Sequence, residues 1–89
     1  MPIIKSAKKR MRQNEVRNAR NRMRRSTLRT SVRRLQEAIA EGDQDVIQVQ
    51  WVKTQGLIDR TARLGIIHRN AAARTKSRLA RRIQQAAAA

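Results

Sequence analysis

The chain has 89 residues and a formal net charge of +16, from 22 Lys and Arg residues against six acidic ones. This length allows one domain, and the charge favours an anionic partner such as a nucleic acid. With no Cys and a single His, the chain excludes disulfides and thiolate metal sites, and we expect no metal or other cofactor. No apolar run approaches the ~20 residues that span a bilayer, and the N-terminal residues lack the apolar core of a secretory signal. We therefore expect no membrane contact and a protein that stays in the compartment where it is made.

The charge is divided into three blocks along the chain. Residues 1–34 carry a net charge of +12, residues 35–59 a net charge of −4, and residues 60–89 a net charge of +8. The stretch 5–34 holds thirteen basic residues, one acid (Glu15), and no Gly or Pro. A solvated helix face usually mixes charges of both signs, and that compensation is nearly absent here. The two basic blocks are therefore predicted to bind a polyanion.

The first helix is predicted to be long. It begins after Ser6, a suitable N-cap, and runs to about Ala40, with Gly42 in the stop position. Apolar residues recur at helical spacing only between positions 28 and 39, so this half can pack on its own chain. Before them, basic residues occur on nearly every face. Residues 5–27, the N-terminal arm, are therefore predicted to project.

Two shorter helices are predicted to follow. Asp43 can cap a second helix over about 44–64, which has a broad apolar face and ends at Gly65. Residues 46–52 also alternate like a strand, but no second strand exists elsewhere to pair with them. A third helix is predicted over about 68–85, with a weak apolar stripe and many basic residues.

The predicted fold is all-α: an antiparallel three-helix bundle with a long, projecting basic first helix. Residues 1–89 form one domain, in which residues 28–85 make the bundle. Most acids lie at the first turn or on the second helix, so helices one and three are expected to face the partner, with helix two behind as support. The arm is expected to be partly disordered when free and helical when bound.

No group of residues suggests catalysis or a small-molecule substrate. His68 lacks a nucleophile or an orienting carboxylate nearby in sequence, so we expect it at a helix start, contacting RNA or a neighbouring side chain. The acids near the first turn suit helix capping better than proton transfer. Trp51 lies among Val and Ile residues and is expected in the core rather than as a base-stacking platform. We predict that the protein is not an enzyme.

Uncharged polar residues alternate with the bases between positions 13 and 31. Asn and Ser are not favoured inside helices, and they can donate to phosphate, ribose 2′-OH or base edges. The alternative is that they occupy ordinary solvent-facing positions. They are Gln13, Asn14, Asn18, Asn21, Ser26, Thr27, Thr30 and Ser31.

One pattern suggests DNA as the alternative partner. Asn70, Ala73, Ser77 and Arg78 have the spacing of leucine-zipper basic regions, which read the major groove. A zipper needs several heptads after its basic region, and only residues 79–89 follow here. A basic helical DNA-binding or DNA-compacting protein is thus the second hypothesis.

Several short stretches occur in a specific order and spacing along nearly the whole chain. They are IKSAKKR at 4–10, NE at 14–15, RN at 20–21, Ser26 with LRT at 28–30, GD at 42–43, ID at 58–59, GIIHRN at 65–70 and AARTKSRLA at 72–80. Together they resemble the bacterial small-subunit ribosomal protein family number twenty. The resemblance implies a three-helix bundle with a long first helix, bound directly to 16S ribosomal RNA. It also implies a role in assembling and holding the small subunit, without catalysis.

The resemblance further implies which side chains face RNA. Carried over position by position, they are Lys5, Ser6, Lys8, Lys9, Arg10, Asn14, Arg20, Asn21, Ser26, Arg29, His68, Arg69, Asn70, Arg74, Lys76, Ser77 and Arg78. Charge alone adds Arg12, Arg17, Arg24, Arg25, Arg81 and Arg82. Ala71 and Thr75 depart from the family pattern. The expected partners are 16S ribosomal RNA and other small-subunit components in a cytoplasmic ribosome, although the family also occurs in plastids.

Overall fold

Three helices make up the structure, a computed structural model that describes residues 2–88. They are α1 (Pro2–Glu41), α2 (Gln44–Arg63) and α3 (Arg69–Ala88). The described residues contain no strand, so the prediction of an all-α, three-helix fold with a long first helix is confirmed. The structure measures 67 × 21 × 14 Å along its principal axes, and its length reflects α1.

The first turn reverses the chain within two residues. Gly42 has a φ of +82°, and its N–H donates to the carbonyl of Ala38 at 3.0 Å, which ends α1 in a left-handed cap. Asp43 then caps α2: its Oδ1 accepts from the N–H of Asp45 at 3.1 Å and of Val46 at 3.5 Å. Both predicted roles are confirmed, and α2 runs back along α1.

The second turn has a fuller cap. Gly65 has a φ of +76°, and its N–H donates to the carbonyl of Ala62 at 3.0 Å. The N–H of Ile66 donates to the carbonyl of Thr61 at 3.1 Å. This pair of bonds is a Schellman motif, which satisfies carbonyls that a helix end would otherwise leave unpaired.

The core is small and lies where all three helices meet. Leu35 from α1 and Ile58 from α2 are 0% exposed, and α3 contributes Leu79. The apolar stripe predicted between positions 28 and 39 faces this core. Trp51 is half-buried and packs against it, as expected. The other members and neighbours of the core are Ala38, Ile47, Ala72, Leu28, Val32, Ile39, Ala62, Ile67 and Ile83.

Two helix ends differ from the prediction. α1 begins at Pro2, so Ser6 lies inside the helix and does not cap it. Proline suits the first turn because the N–H that it lacks has no intrahelical partner there. α3 continues past Gln85 to Ala88, since alanine has the highest helix propensity.

The arm is helical in the structure, and the partial disorder expected of it without RNA stays a prediction. α1 has 40 residues and α2 has 20, which corresponds to about 60 Å and about 30 Å of helix. Every side chain from position 4 to position 20 is exposed. The helix of the arm therefore depends on local interactions, whereas the second half of α1 is held by packing.

Candidate nucleic-acid interface

The N-terminal arm presents its predicted site residues to solvent around the whole helix. Among those between positions 5 and 29, only Asn21 is half-buried. The exposed members are Lys5, Ser6, Lys8, Lys9, Arg10, Arg12, Asn14, Arg17, Arg20, Arg24, Arg25, Ser26 and Arg29. Among residues 2–88, ion pairs form only between Arg33 and Glu37 and between Lys76 and Asp59. The positive charge of the arm is therefore free to meet an external anion.

One side of the arm forms an arginine-rich face. Arg12, Arg17 and Arg20 surround Val16, and together with Gln13 they line a shallow depression of about 440 Å³. Val16 is 56% exposed. A shallow, cationic surface of this kind suits an extended phosphate backbone better than a small molecule, which binds in enclosed and mostly apolar pockets.

The basic residues of α3 do not all share one face. Arg74, Arg78, Arg81 and Arg82 are exposed, and their spacing of four, three and one places them on one side of the helix. Exposed Arg69 lies about 180° away from Arg78 around the helix, at about 100° per residue. The structure thus brings four of the predicted arginines together and separates Arg69 from them.

A groove between α1 and α3 gathers three of these arginines. Arg78, Arg81 and Arg82 line it opposite Val32 and Gln36 of α1, around a volume of about 410 Å³. We call it the α1/α3 groove. Its three cations all belong to α3, whereas α1 contributes the uncharged Val32 and Gln36.

Lys76 differs from the other predicted cations because it already has a partner. Its Nζ lies 3.0 Å from Oδ1 of Asp59 on α2, and its side chain is 35% exposed. Part of its positive charge is therefore compensated by Asp59 within the protein. Asn70 and Ser77, by contrast, are exposed.

His68 lies immediately before α3, at the start of the helix as predicted. Its Nδ1 accepts from the N–H of Asn70 at 3.0 Å, and its carbonyl accepts from the N–H of Ala72 at 3.0 Å. The neutral imidazole in this arrangement carries its proton on Nε2, which is a donor. His68 is thus a helix cap, and its exposed ring can also donate outward.

A third surface was not predicted. Eight residues line a groove of about 510 Å³ between α1 and α2, which we call the α1/α2 groove; they are Ser26, Thr27, Thr30, Ser31, Arg34, Gln50, Lys53 and Leu57. Helix two was expected only to support the others, yet its single Lys lies here and is exposed. Helical spacing places Gln50, Lys53 and Leu57 on one face of α2, which the sequence could have revealed. It could not reveal which residues of α1 lie opposite that face.

Ser31 requires a correction. It was grouped with the polar residues that could meet a nucleic acid, but it is only 7% exposed. Its hydroxyl bonds to Thr54 of α2 at 2.9 Å. Its role is to join two helices.

Neither a metal-ligand cluster nor a membrane-spanning helix is present among the described residues. No group of three or more His, Asp or Glu side chains within positions 2–88 could hold a metal ion. In the same part of the chain, none of the helices combines the length and apolarity needed to cross a membrane.

Comparison with known proteins agrees with the resemblance noted in the sequence. The profile of the family described as ribosomal protein S20 matches residues 2–84. The chain is 46% identical over 87 residues to the small ribosomal subunit protein bS20 of Rhodopirellula baltica, which covers 98% of this chain and 97% of the relative. It is 48% identical over 84 residues to the protein of the same name from Pseudoalteromonas atlantica, covering 94% and 97%. For that of Shouchella clausii the identity is 44% over 83 residues, covering 93% and 94%. The chain therefore belongs to the ribosomal protein S20 family, a family of ribosomal proteins and not of enzymes.

Proposed function

We propose that this protein is a structural component of the small ribosomal subunit that binds 16S ribosomal RNA directly and stabilises its folded form. The observation that carries the proposal is the exposed arginine and lysine surface of α1 and α3, in which only Arg33 and Lys76 pair with an acid among residues 2–88. The relatives are named as small ribosomal subunit proteins, which supports a place in the small subunit. Its place of action is the ribosome in the cytoplasm.

The length of the arm suits it to contact RNA away from the bundle. Residues 5–27 extend over about 35 Å of helix, with basic side chains on nearly every side. A cation that neutralises a phosphate releases condensed counterions, which provides most of the affinity for a polyanion. Phosphates on more than one side of the arm can be neutralised together, and RNA segments that would otherwise repel can approach each other.

Recognition should depend on RNA shape more than on base sequence. The deep, narrow major groove of A-form RNA does not admit side chains readily, whereas phosphates and 2′-OH groups are accessible. Arg predominates over Lys in this chain, seventeen to five, and its planar guanidinium can bind two phosphate oxygens at once. The interface is therefore expected to bind phosphates presented at specific distances by a folded RNA.

A competition assay tests the proposal. Full-length 16S ribosomal RNA, or a structured fragment of it, should displace the protein from duplex DNA of equal charge at physiological salt. Replacing two arm residues, Arg17→Gln with Arg20→Gln, should weaken RNA binding. The slope of log K against log salt should also fall by about 1 for each phosphate that the variant no longer contacts. Equal affinity for RNA and DNA would contradict the proposal and favour the DNA-compacting hypothesis.

The chain offers a matched control for charge. Arg60 and Arg63 are exposed bases on α2 that belong to none of the predicted contacts. The double change Arg60→Gln with Arg63→Gln removes the same charge as the arm variant. We expect it to reduce RNA affinity less than the arm variant does. Equal losses would mean that only net charge matters.

A further inference from the structure

The α1/α2 groove combines two cations with several oxygen acceptors. Arg34 of α1 and Lys53 of α2 both line it and are exposed. None of its lining residues is acidic. The groove is therefore electropositive and open, and its charge is complementary to a phosphate backbone.

The threonines of the groove are acceptors because their protons are already used. Thr27 Oγ1 donates to the carbonyl of Met23 at 2.9 Å, and Thr30 Oγ1 donates to the carbonyl of Ser26 at 2.9 Å. A hydroxyl has one proton and two lone pairs. While these bonds persist, each threonine oxygen can accept a hydrogen bond from outside but cannot donate one.

The hydrogen bonds of Thr27 and Thr30 determine which chemical group can bind to their oxygens. A phosphate oxygen is itself an acceptor, so it cannot bond to the oxygen of Thr27 or Thr30 in this arrangement. Phosphates can instead bind to the donors of the groove, chiefly the guanidinium of Arg34 and the ammonium of Lys53. A ribose 2′-OH lies beside every phosphate of RNA and is absent from DNA. It can donate a hydrogen bond to these threonine oxygens.

We propose that the α1/α2 groove binds an RNA strand and distinguishes it from DNA through the 2′-OH groups. Arg34 and Lys53 bind phosphates of the strand, and the oxygens of Thr27 and Thr30 accept hydrogen bonds from its riboses. This inference rests on the proposed function, since it assumes that RNA is the partner. It adds helix two, through Lys53, to the interface.

The groove is separate from the α1/α3 groove. Val32 of the α1/α3 groove and Thr30 of the α1/α2 groove are two residues apart on α1, which places them about 160° apart around the helix at about 100° per residue. The two grooves thus open on opposite sides of α1. The two grooves share no lining residue, so substitutions in one leave the other unchanged and each can be tested alone.

The first experiment removes the two acceptors. Thr27→Val with Thr30→Val keeps side-chain shape but deletes the hydroxyl oxygens. We expect affinity for a structured 16S fragment to fall about 10-fold, because a hydrogen bond typically contributes a factor of a few to tenfold. Affinity for DNA should be unchanged, so the ratio of RNA affinity to DNA affinity should fall by the same factor. Thr61→Val is the control, since Thr61 is buried, outside the groove, and bonded to the carbonyl of Leu57.

A second variant tests the groove at a position where a substitution should not affect folding. Lys53 is exposed on α2, so Lys53→Gln should fold normally, as thermal unfolding can verify. It should lower the salt-dependence slope for RNA by about 1, as expected for the loss of one phosphate contact. An unchanged slope would overturn the role of Lys53.

Tethered cleavage gives an independent measurement. The chain has no Cys, so a single introduced Cys can carry an iron chelate that cleaves nearby RNA. Lys53→Cys should direct cleavage to a defined 16S segment, whereas Gln48→Cys should not, because exposed Gln48 lies about 140° away around α2. Equal cleavage from both positions, or none from position 53, would overturn the proposal.

The outcomes separate this inference from the proposed function. If the unaltered protein shows no preference for 16S RNA over DNA, the proposed function fails. If the unaltered protein prefers RNA and the Thr27→Val, Thr30→Val variant keeps that preference in full, only the reading of 2′-OH groups fails.

Discussion

Ser31 Oγ lies 2.9 Å from Thr54 Oγ1 in the interface between α1 and α2. Gln50 completes the network. Its side-chain Nε2 donates to Ser31 Oγ at 3.2 Å, and its backbone carbonyl accepts from Thr54 Oγ1 at 2.8 Å. One arrangement of protons satisfies all three bonds, in which Ser31 donates to Thr54. No buried polar side-chain atom is left unpaired in the described part of the chain. Because a shift of either helix would break these bonds, the network selects one register for α1 against α2.

A double-mutant cycle should measure this coupling. Thr54 is 0% exposed, so Thr54→Val removes a buried hydroxyl and leaves Ser31 without its acceptor. We expect a loss of about 1–3 kcal/mol in the free energy of unfolding. Ser31→Ala with Thr54→Val should cost less than the sum of the single changes. Chemical denaturation of the four proteins checks this, and additive losses would contradict it.

Gly56→Ala should stabilise the protein. Gly56 lies inside α2, and a Cβ added there would meet nothing within 4 Å. Alanine should therefore raise the free energy of unfolding by roughly 0.5–1 kcal/mol through helix propensity. Gly42→Ala is the contrasting variant, since the φ of +82° at this position strains any side chain. It should lower the midpoint of thermal unfolding, while Gly56→Ala raises it.

Hydrogen exchange should divide α1 into two parts. Amides at positions 5–20 lie in a helix without buried side chains, and such a helix opens locally at low cost. Amides at positions 31–38 lie beside the core and should exchange more slowly by at least tenfold, an order-of-magnitude expectation. Binding of 16S RNA should slow the first group most. Equal protection of both groups in the free protein would contradict this division.

Lys76 and Arg78 should differ in their effect on RNA binding. Lys76→Gln should cost less affinity than Arg78→Gln, because Lys76 is already paired with Asp59 whereas Arg78 is exposed in the α1/α3 groove. Asp59→Asn should strengthen binding, since it frees Lys76 and removes a negative charge. Dissociation constants at several salt concentrations test all three variants. A larger loss for Lys76→Gln would show that the ion pair opens on binding.

Much of the fold could be predicted because its signals are local. Asp43 was expected to cap α2 and Gly42 to end α1, and both do so through bonds that span two to four residues. The start of α1 was predicted too late because Ser6 is a residue type that often caps helices. Nothing upstream of Ser6 prevents a helix, and α1 begins at Pro2. The site was predicted as a set of exposed bases, and the structure leaves nearly all of them exposed.

The sequence by itself determined three helices, their turns and a strongly basic surface, because helix propensity, capping and net charge depend on residues close together in the chain. Only the tertiary structure decided that Ser31 is buried against Thr54, that Lys76 meets Asp59, and that Arg34 and Lys53 share a groove. These partners are 17 to 23 residues apart. Their meeting depends on the register of packed helices, which no local pattern specifies.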